Sequence, residues 1–185
     1  MDYSTQCIET LIALAEQGDT EAQYRLAFRM DPSETTWYSG VKKNLQECLR
    51  LYTLAAEAGH AEAQYRLGHL YYFGTLDGEL EYDEELGMKW FKLAADQGHV
   101  DAQFALAEAY TLGEDTEEEL AEAVKWYELA AKQGMPEAQV EIAERYATGS
   151  GVEKDMLKAV RWYTAAAVQG DRDAQQWLKE HGLDD

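Results

Sequence analysis

Residues 126–139 read WYELAAKQGMPEAQ, an aromatic pair followed by paired alanines, a glycine and an Ala-Gln step. Glycine enters left-handed backbone conformations at little cost, so Gly134 is predicted to end one helix. Pro136 suits the first position of the next helix, where a missing backbone N–H costs nothing. This segment therefore predicts two consecutive helices joined by a tight turn.

The same segment recurs along the chain. The pattern Gly-x-x-x-Ala-Gln begins at Gly18, Gly59, Gly98, Gly134 and Gly170, with spacings of 41, 39, 36 and 36 residues. The block of aromatic residues and paired alanines precedes the glycine at residues 51–59, 90–98, 126–134 and 162–170. Such a period is typical of solenoids whose units contain two helices. We call the helix after each glycine helix A, and the helix before the next glycine helix B.

The repeats occupy most of the chain as a single predicted domain of residues 1–185. We predict an N-terminal capping helix over 1–17, repeats at about 19–59, 60–98, 99–134 and 135–170, and a C-terminal capping helix over 171–185. One helix A position holds only small residues, which let helix B approach closely. These residues are Ala27, Gly68, Ala107 and Ala143. Lys179 stands at that position in the last helix, so the solenoid is expected to stop there.

The pattern resembles the Sel-1-like repeat family, which is related to the tetratricopeptide repeat. Residues 146–155 read YATGSGVEKD and are followed by KAVRWY at 158–163, similar to the family's Tyr-x-x-Gly-x-Gly-Val-x-x-Asp loop and helix B. Repeats two and three keep only Gly74 and Gly113 of that loop. The resemblance implies an all-α fold, a right-handed α-α superhelix of about four to five two-helix repeats, and a role as an adaptor.

The charge of the chain favours a basic partner. There are 36 acidic and 16 basic residues among 185, a net charge of −20. Such a field repels nucleic acids and anionic lipid surfaces and speeds the approach of a basic protein. The alternative, that the acidity serves only solubility, stays open.

Cys7 and Cys48 form no metal or disulfide pattern, and no signal or membrane segment is apparent, so we predict a cytoplasmic location.

The candidate partner-binding residues lie on helix A, which generally lines the concave surface of such repeats. The aromatic members supply binding energy and the carboxylates supply complementarity to Lys and Arg. The predicted binding residues are Glu21, Tyr24, Phe28, Glu62, Tyr65, His69, Tyr72, Asp101, Phe104, Glu108, Glu137 and Glu144. A purely structural role is the alternative, because first-turn carboxylates stabilise the helix dipole and the rings can pack on neighbouring helices.

The loops between helices A and B are a second candidate surface. The loop over residues 31–38 carries Trp37, which is a predicted binding residue, although it can equally cover the open face of the first repeat. The next two loops are acidic at Asp77, Glu79, Glu81, Asp83, Glu84, Glu85, Glu114, Asp115, Glu117, Glu118 and Glu119. Part of this acidity fits the start of helix B.

No catalytic, cofactor or metal motif is present in the sequence. We therefore predict a non-catalytic protein-interaction module that binds a basic protein or peptide, with no cofactor, metal, nucleic acid or membrane. A more specific alternative is an immunity protein that neutralises a basic bacterial toxin or effector. The alternative from a different class is a hydrolase with carboxylates in the groove.

Overall fold

The computed structural model describes residues 8–32, 41–75, 78–113 and 116–183. Within these ranges the chain is all-α, with ten helices and no strand. The helices are α1 Ile8–Glu16, α2 Thr20–Met30, α3 Leu45–Glu57, α4 Ala61–Phe73, α5 Glu84–Asp96, α6 Val100–Leu112, α7 Glu117–Lys132, α8 Pro136–Thr148, α9 Met156–Val168 and α10 Arg172–Glu180. Even-numbered helices are the predicted A helices, and odd-numbered helices are the predicted B helices.

The chain forms two compact units, residues 1–99 and 100–185. Unit 1 contains α1 to α5 and unit 2 contains α6 to α10, and in each unit every helix packs against the next one along the chain. The prediction of one continuous solenoid over 1–185 stays a prediction. So does the proposal that Lys179, which is exposed, ends it.

The predicted helix ends are confirmed. The glycine of each repeat has a positive φ, between 86° at Gly18 and 97° at Gly134. Asp19 and Asp171 accept hydrogen bonds from the backbone N–H groups at the starts of α2 and α10, as N-caps do. Helix α8 begins at Pro136, as its position after Gly134 predicts.

The small residues of helix A do face helix B, and a second small position lies on helix B itself. A Cβ added to Gly68 would lie 2.4 Å from the Phe91 ring, and one added to Gly87 would lie 2.7 Å from the Tyr72 backbone nitrogen. In the other repeats, the positions equivalent to Gly87 hold Cys48, Ala123 and Ala159, each fully buried. Sequence reasoning missed this second position, although a small residue three before the aromatic pair recurs in every repeat.

The two residues of the helix B aromatic pair are buried to different extents. Trp90 and Trp162, each the first of its pair, are half-buried. The second residue of the pair lies deeper, with Tyr52 at 0%, Phe91 at 1% and Tyr127 at 2% exposure. Helix B therefore points its second aromatic residue at the small residue of helix A.

A chain of glutamine side chains joins consecutive helices. In unit 2, the Gln139 amide donates to the carbonyl oxygen of Ala131 at 3.1 Å and its own oxygen accepts from Gln169 at 2.9 Å. In unit 1, Gln64 donates to Ala56 at 2.9 Å and accepts from Gln97 at 2.6 Å. These bonds explain why the Ala-Gln step recurs: the amide reaches a carbonyl at the end of the preceding helix B.

We expect Gln139→Leu to lower the free energy of unfolding by about 1–3 kcal/mol, because the hydrogen bonds with the Ala131 carbonyl and with the Gln169 amide would both be lost, at about 0.5–1.5 kcal/mol each. Chemical denaturation would measure the change. The control is Gln176→Leu, since Gln176 is exposed and its side chain donates to Glu180 of the same helix. Equal effects of the two substitutions would contradict a role for the glutamine chain.

Candidate partner-binding surface

The A helices of each unit lie side by side and form what we call the A-face of that unit. In unit 1, the Arg66 guanidinium lies 4.9 Å from the centre of the Phe28 ring, which joins α4 to α2. In unit 2, Arg145 donates to the Thr111 hydroxyl at 3.2 Å, which joins α8 to α6. In each face, an arginine of one A helix therefore contacts the A helix of the preceding repeat, but the two faces differ in charge.

On the unit 1 A-face, the predicted acidic residues are engaged by the protein itself. Glu21 pairs with Arg25 one turn later and lies 2.9 Å from the Nε2 of His60. Burial raises the pKa of Glu21, but the hydrogen bonds from His60 and Arg25 outweigh it and hold that pKa below its ordinary value. This intramolecular pairing stabilises the ionised carboxylate in the folded chain.

Glu62 repeats this arrangement one repeat later. Its carboxylate lies 2.8 Å from the Nε2 of His99 and 3.2 Å from the Nε of Arg66. The hydrogen bond with His99 is the main cause that lowers the pKa of Glu62 below its ordinary value. Each of the two histidines thus links the start of one repeat to helix A of the repeat before it.

The predicted aromatic row also packs internally in unit 1. Tyr24 stacks on the His60 ring with ring centres 4.6 Å apart, and Tyr65 stacks on His99 at 4.9 Å. Burial raises the pKa of Tyr24 to about 12. Both tyrosines are half-buried, so these stacking contacts contribute to the stability of the fold. A role of the two tyrosines in partner binding stays a prediction.

The remaining predicted residues of unit 1 cluster near the end of α4. His69 is exposed and its ring centre lies 4.7 Å from that of Phe73. Tyr72 is half-buried between Phe73, at 5.0 Å, and the core residue Phe91, at 5.8 Å. Phe73 itself is 61% exposed and was missed by sequence reasoning, because its only signal was an apolar residue just before Gly74. Trp37 lies outside the described residues.

The unit 2 A-face lacks the histidines that engage Glu21 and Glu62. The positions equivalent to His60 hold Met135 and Asp171. Asp101 and Glu137, the equivalents of Glu21, are both exposed. Phe104, the equivalent of Tyr24, is half-buried and meets Tyr127 edge-on, with ring centres 5.6 Å apart.

Three carboxylates concentrate on the unit 2 A-face, and we call them the carboxylate cluster: Glu108, Glu141 and Glu144. Partial desolvation and the neighbouring Glu141 charge raise the pKa of Glu108, which lies at the surface, above its ordinary value. Burial likewise raises the pKa of Glu141, Glu144 raises it further, and Arg145 partly offsets both. Within the described part of the chain, no salt bridge engages any member of the cluster.

One helix A position explains most of the contrast between the two faces. Unit 1 has Arg25 and Arg66 there, whereas unit 2 has Ala105 and Glu141. Glu141 was not among the predicted residues, because sequence reasoning followed three other rows of helix A. The negative charge of the cluster also affects Tyr163. Burial raises the pKa of Tyr163 to about 12, and the charges of Glu144 and Glu141 raise it further.

Most of the described acidic residues between helices A and B lie at the N-terminus of helix B, as caps or in its first turn. Asp83 caps α5 by accepting a hydrogen bond from the Leu86 backbone. Thr116 and Glu119 form a reciprocal capping box at the start of α7. Glu84, Glu85, Glu117 and Glu118 lie in the first turns of these helices. Asp77, Glu114 and Asp115 lie outside the described residues.

The described residues contain neither a metal-ligand cluster nor a membrane-spanning helix. No group of three or more His, Cys, Asp or Glu residues within residues 8–32, 41–75, 78–113 and 116–183 is arranged to hold a metal ion. Over those same ranges, every helix is too short or too polar to span a bilayer. Glu108 and Glu144 are exposed rather than enclosed, which differs from the deep acidic pocket that the hydrolase alternative needs.

The two classes of carboxylate predict opposite pH effects on stability. Because the pKa of Glu62 is lowered in the folded chain, Glu62→Gln should reduce the free energy of unfolding at about pH 7, and this loss should disappear only as pH falls through the lowered pKa of the folded state. Because the pKa of Glu141 is raised, Glu141→Gln should increase stability at about pH 7, and the gain should vanish below about pH 4.

Urea denaturation of both variants across this pH range would check the pair of signs. Loss of stability in Glu141→Gln near neutral pH would contradict the account of the carboxylate cluster. The matched pair controls for the change of Glu to Gln, since each substitution removes one negative charge from helix A.

The fold and its surfaces define a helical-repeat scaffold for protein interaction. The Sel1 repeat family matches residues 20–60, 61–99, 100–135 and 136–171. The chain therefore belongs to the Sel1 repeat family, whose repeats are protein-interaction modules and typically non-catalytic scaffolds. No curated protein matches the chain at a significant level.

Solved structures support the same fold. A protective antigen of uropathogenic Escherichia coli with an SLR fold is 33% identical, with a TM-score of 0.81, over 96% of this chain and 37% of that chain. A Sel1 repeat protein from Oxalobacter formigenes is 34% identical, with a TM-score of 0.79, over 94% of this chain and 48% of that chain. An immunity protein from Pseudomonas aeruginosa is 24% identical, with a TM-score of 0.52, over 90% of this chain and 59% of that chain. The chain thus spans about a third to a half of the length of the first two structures.

Proposed function

We propose that this chain is a non-catalytic protein-interaction module that binds a basic protein or peptide on the A-face of unit 2. The observation that carries the proposal is the carboxylate cluster of Glu108, Glu141 and Glu144. Burial and mutual repulsion raise the pKa values of Glu108 and Glu141, so their negative charge costs free energy in the free protein. A bound Lys or Arg side chain would remove that cost.

The contrast with unit 1 supports this assignment. There, the acidic residues Glu21 and Glu62 already pair with Arg25, Arg66, His60 and His99. On the unit 2 A-face, helices α6 and α8 carry five acidic residues and one basic residue, Arg145. Arg145 is occupied by Thr111 and by Ser150, which lies 3.1 Å away.

The immunity role remains the more specific alternative. Its support is the net charge of −20, which would speed the capture of a basic toxin. The similarity to the Pseudomonas aeruginosa immunity protein, at 24% identity, concerns the fold alone. A cytoplasmic location, which such a role requires, is likewise a proposal from the sequence.

A binding experiment with a labelled peptide of alternating Arg and Ser would test the proposed face. Replacing Glu108, Glu141 and Glu144 together by Gln should weaken binding by roughly tenfold to a hundredfold, at about 1 kcal/mol or less per ion pair. Binding should also weaken as salt rises and as pH falls through the raised carboxyl pKa values.

The matched control replaces Glu117, Glu118 and Glu153, all exposed in the same unit, by Gln. This variant has the same net charge as the cluster variant, so a general effect of the protein's field would weaken both equally. Equal weakening would therefore overturn the proposed face, and absence of binding to the unmodified chain would overturn the proposed function.

A further inference from the structure

A groove in unit 2 lies between the B helices α7 and α9. Its volume is about 420 Å³, and it is lined by Glu128, Lys132, Tyr146, Lys158, Arg161 and Trp162, together with Ala165. The lining thus combines two aromatic rings with three cations and one carboxylate. Its lining comes from the B helices α7 and α9 together with Tyr146 of α8, and it contains no member of the carboxylate cluster.

The positive charge of this groove is unusual for the chain. Helix α9, Met156–Val168, contains no acidic residue, whereas each of the other nine described helices contains at least one. Lys158, Arg161 and Trp162 are spaced i, i+3 and i+4, which puts them on one face of α9. Although the net charge of the chain is −20, this face of α9 is locally positive and lies beside the indole ring of Trp162.

Only part of this positive charge is neutralised within the groove. Glu128 accepts a hydrogen bond from Lys132 at 2.7 Å and another from the Tyr146 hydroxyl. The Lys158 ammonium lies over the Tyr146 ring, 4.5 Å from its centre, and 3.9 Å from the Asp155 carboxylate. Lys158 also donates a long hydrogen bond of 3.5 Å to the Tyr146 hydroxyl. None of these contacts is a close ion pair, and Lys158 remains 51% exposed.

The Arg161 guanidinium is the strongest candidate for a ligand contact. It is exposed on the groove wall, and within the described ranges it forms no hydrogen bond or salt bridge. A guanidinium presents a planar fork of donors that matches a carboxylate. The half-buried Trp162 next to it offers a flat apolar surface.

We propose that this groove binds an acidic segment of a protein partner. A carboxylate of the segment would pair with Arg161 and Lys158, and a neighbouring aromatic or apolar side chain would pack on Trp162. Complementary charge selects this occupant: two incompletely paired cations suit one or two carboxylates, whereas an extended polyanion would meet the negative field of the rest of the chain.

The test uses the full chain and a fluorescein-labelled peptide in which Asp-Glu pairs flank a Phe. Fluorescence anisotropy should show binding, and Arg161→Glu should raise the Kd by about tenfold or more. A peptide with Asn and Gln in place of Asp and Glu should not bind. Lys125→Glu is the matched control, because Lys125 is exposed on α7 outside the groove and its replacement changes the net charge by the same amount.

Three results would overturn the proposal: no binding of the acidic peptide, unchanged binding to the Arg161 variant, or equal weakening in the Lys125 variant. Self-association is the competing occupant. If sedimentation shows a dimer that Arg161→Glu dissociates, and the peptide does not compete, the groove binds a second copy of this chain instead. Circular dichroism would verify that Arg161→Glu is folded, and Arg161→Gln provides a milder variant with the same expected direction.

Discussion

Replacing Phe91 by Ala should lower the free energy of unfolding by about 3–5 kcal/mol. Phe91 is 1% exposed, and its ring lies against Gly68, which has no side chain that could move into the cavity. Tyr65 and Tyr72 flank the ring, with centres 6.0 and 5.8 Å away. The cost should lie toward the upper end of the range, because the surrounding helices can collapse only by moving their backbones.

The control for this prediction is the preceding residue, Trp90. Trp90 is larger but half-buried, so Trp90→Ala should cost less than Phe91→Ala. Urea denaturation followed by far-ultraviolet circular dichroism would compare the two variants. A larger loss for Trp90→Ala would mean that the first aromatic residue of the pair, and not the second, anchors helix B.

Replacing Gly87 by Leu should prevent α5 from packing on α4. A Cβ at this position would lie 2.7 Å from the backbone nitrogen and 2.8 Å from the Cα of Tyr72, and a backbone cannot rotate away as a side chain can. Even Gly87→Ala should lower the free energy of unfolding by about 1–3 kcal/mol. Helix propensity predicts the opposite sign for this change, a gain of up to about 1 kcal/mol, so the direction is decisive.

Lys89→Leu is the control for an added side chain on the same helix. Lys89 is exposed, so this variant should unfold within about 0.5 kcal/mol of the unmodified chain. Thermal and urea unfolding of the Gly87 and Lys89 variants would measure both effects. An increase in stability for Gly87→Ala would show that α4 and α5 can separate at little cost.

Much of the fold could be predicted from the sequence because repetition multiplies weak local signals. A glycine before Ala-Gln is ambiguous once, but five copies identify the turn, and all five have the expected positive φ. The small position of helix A was equally visible, since Ala27, Ala107 and Ala143 are fully buried. The division into two compact units was not predicted, because every repeat carries similar signals.

The candidate site was less predictable because its charge balance depends on contacts between repeats. Glu21 and Glu137 occupy equivalent positions and look alike in the sequence, yet only Glu21 has a histidine from the following repeat within hydrogen-bond distance. That difference arises because the position of His60, one after the glycine of the following repeat, holds Asp171 in the repeat after Glu137. A comparison of this single position between repeats would have separated the two faces.

The most direct test of the proposed A-face is a carbon-detected NMR titration of the Glu108 and Glu141 carboxyl groups. In the free chain, both pKa values should lie above the ordinary value for glutamate, because of burial and neighbouring negative charge. With the Arg-rich peptide bound, both pKa values should fall, since a nearby cation favours the ionised form. Unchanged pKa values for these two groups in the presence of bound peptide would show that the basic partner binds elsewhere and would contradict the account.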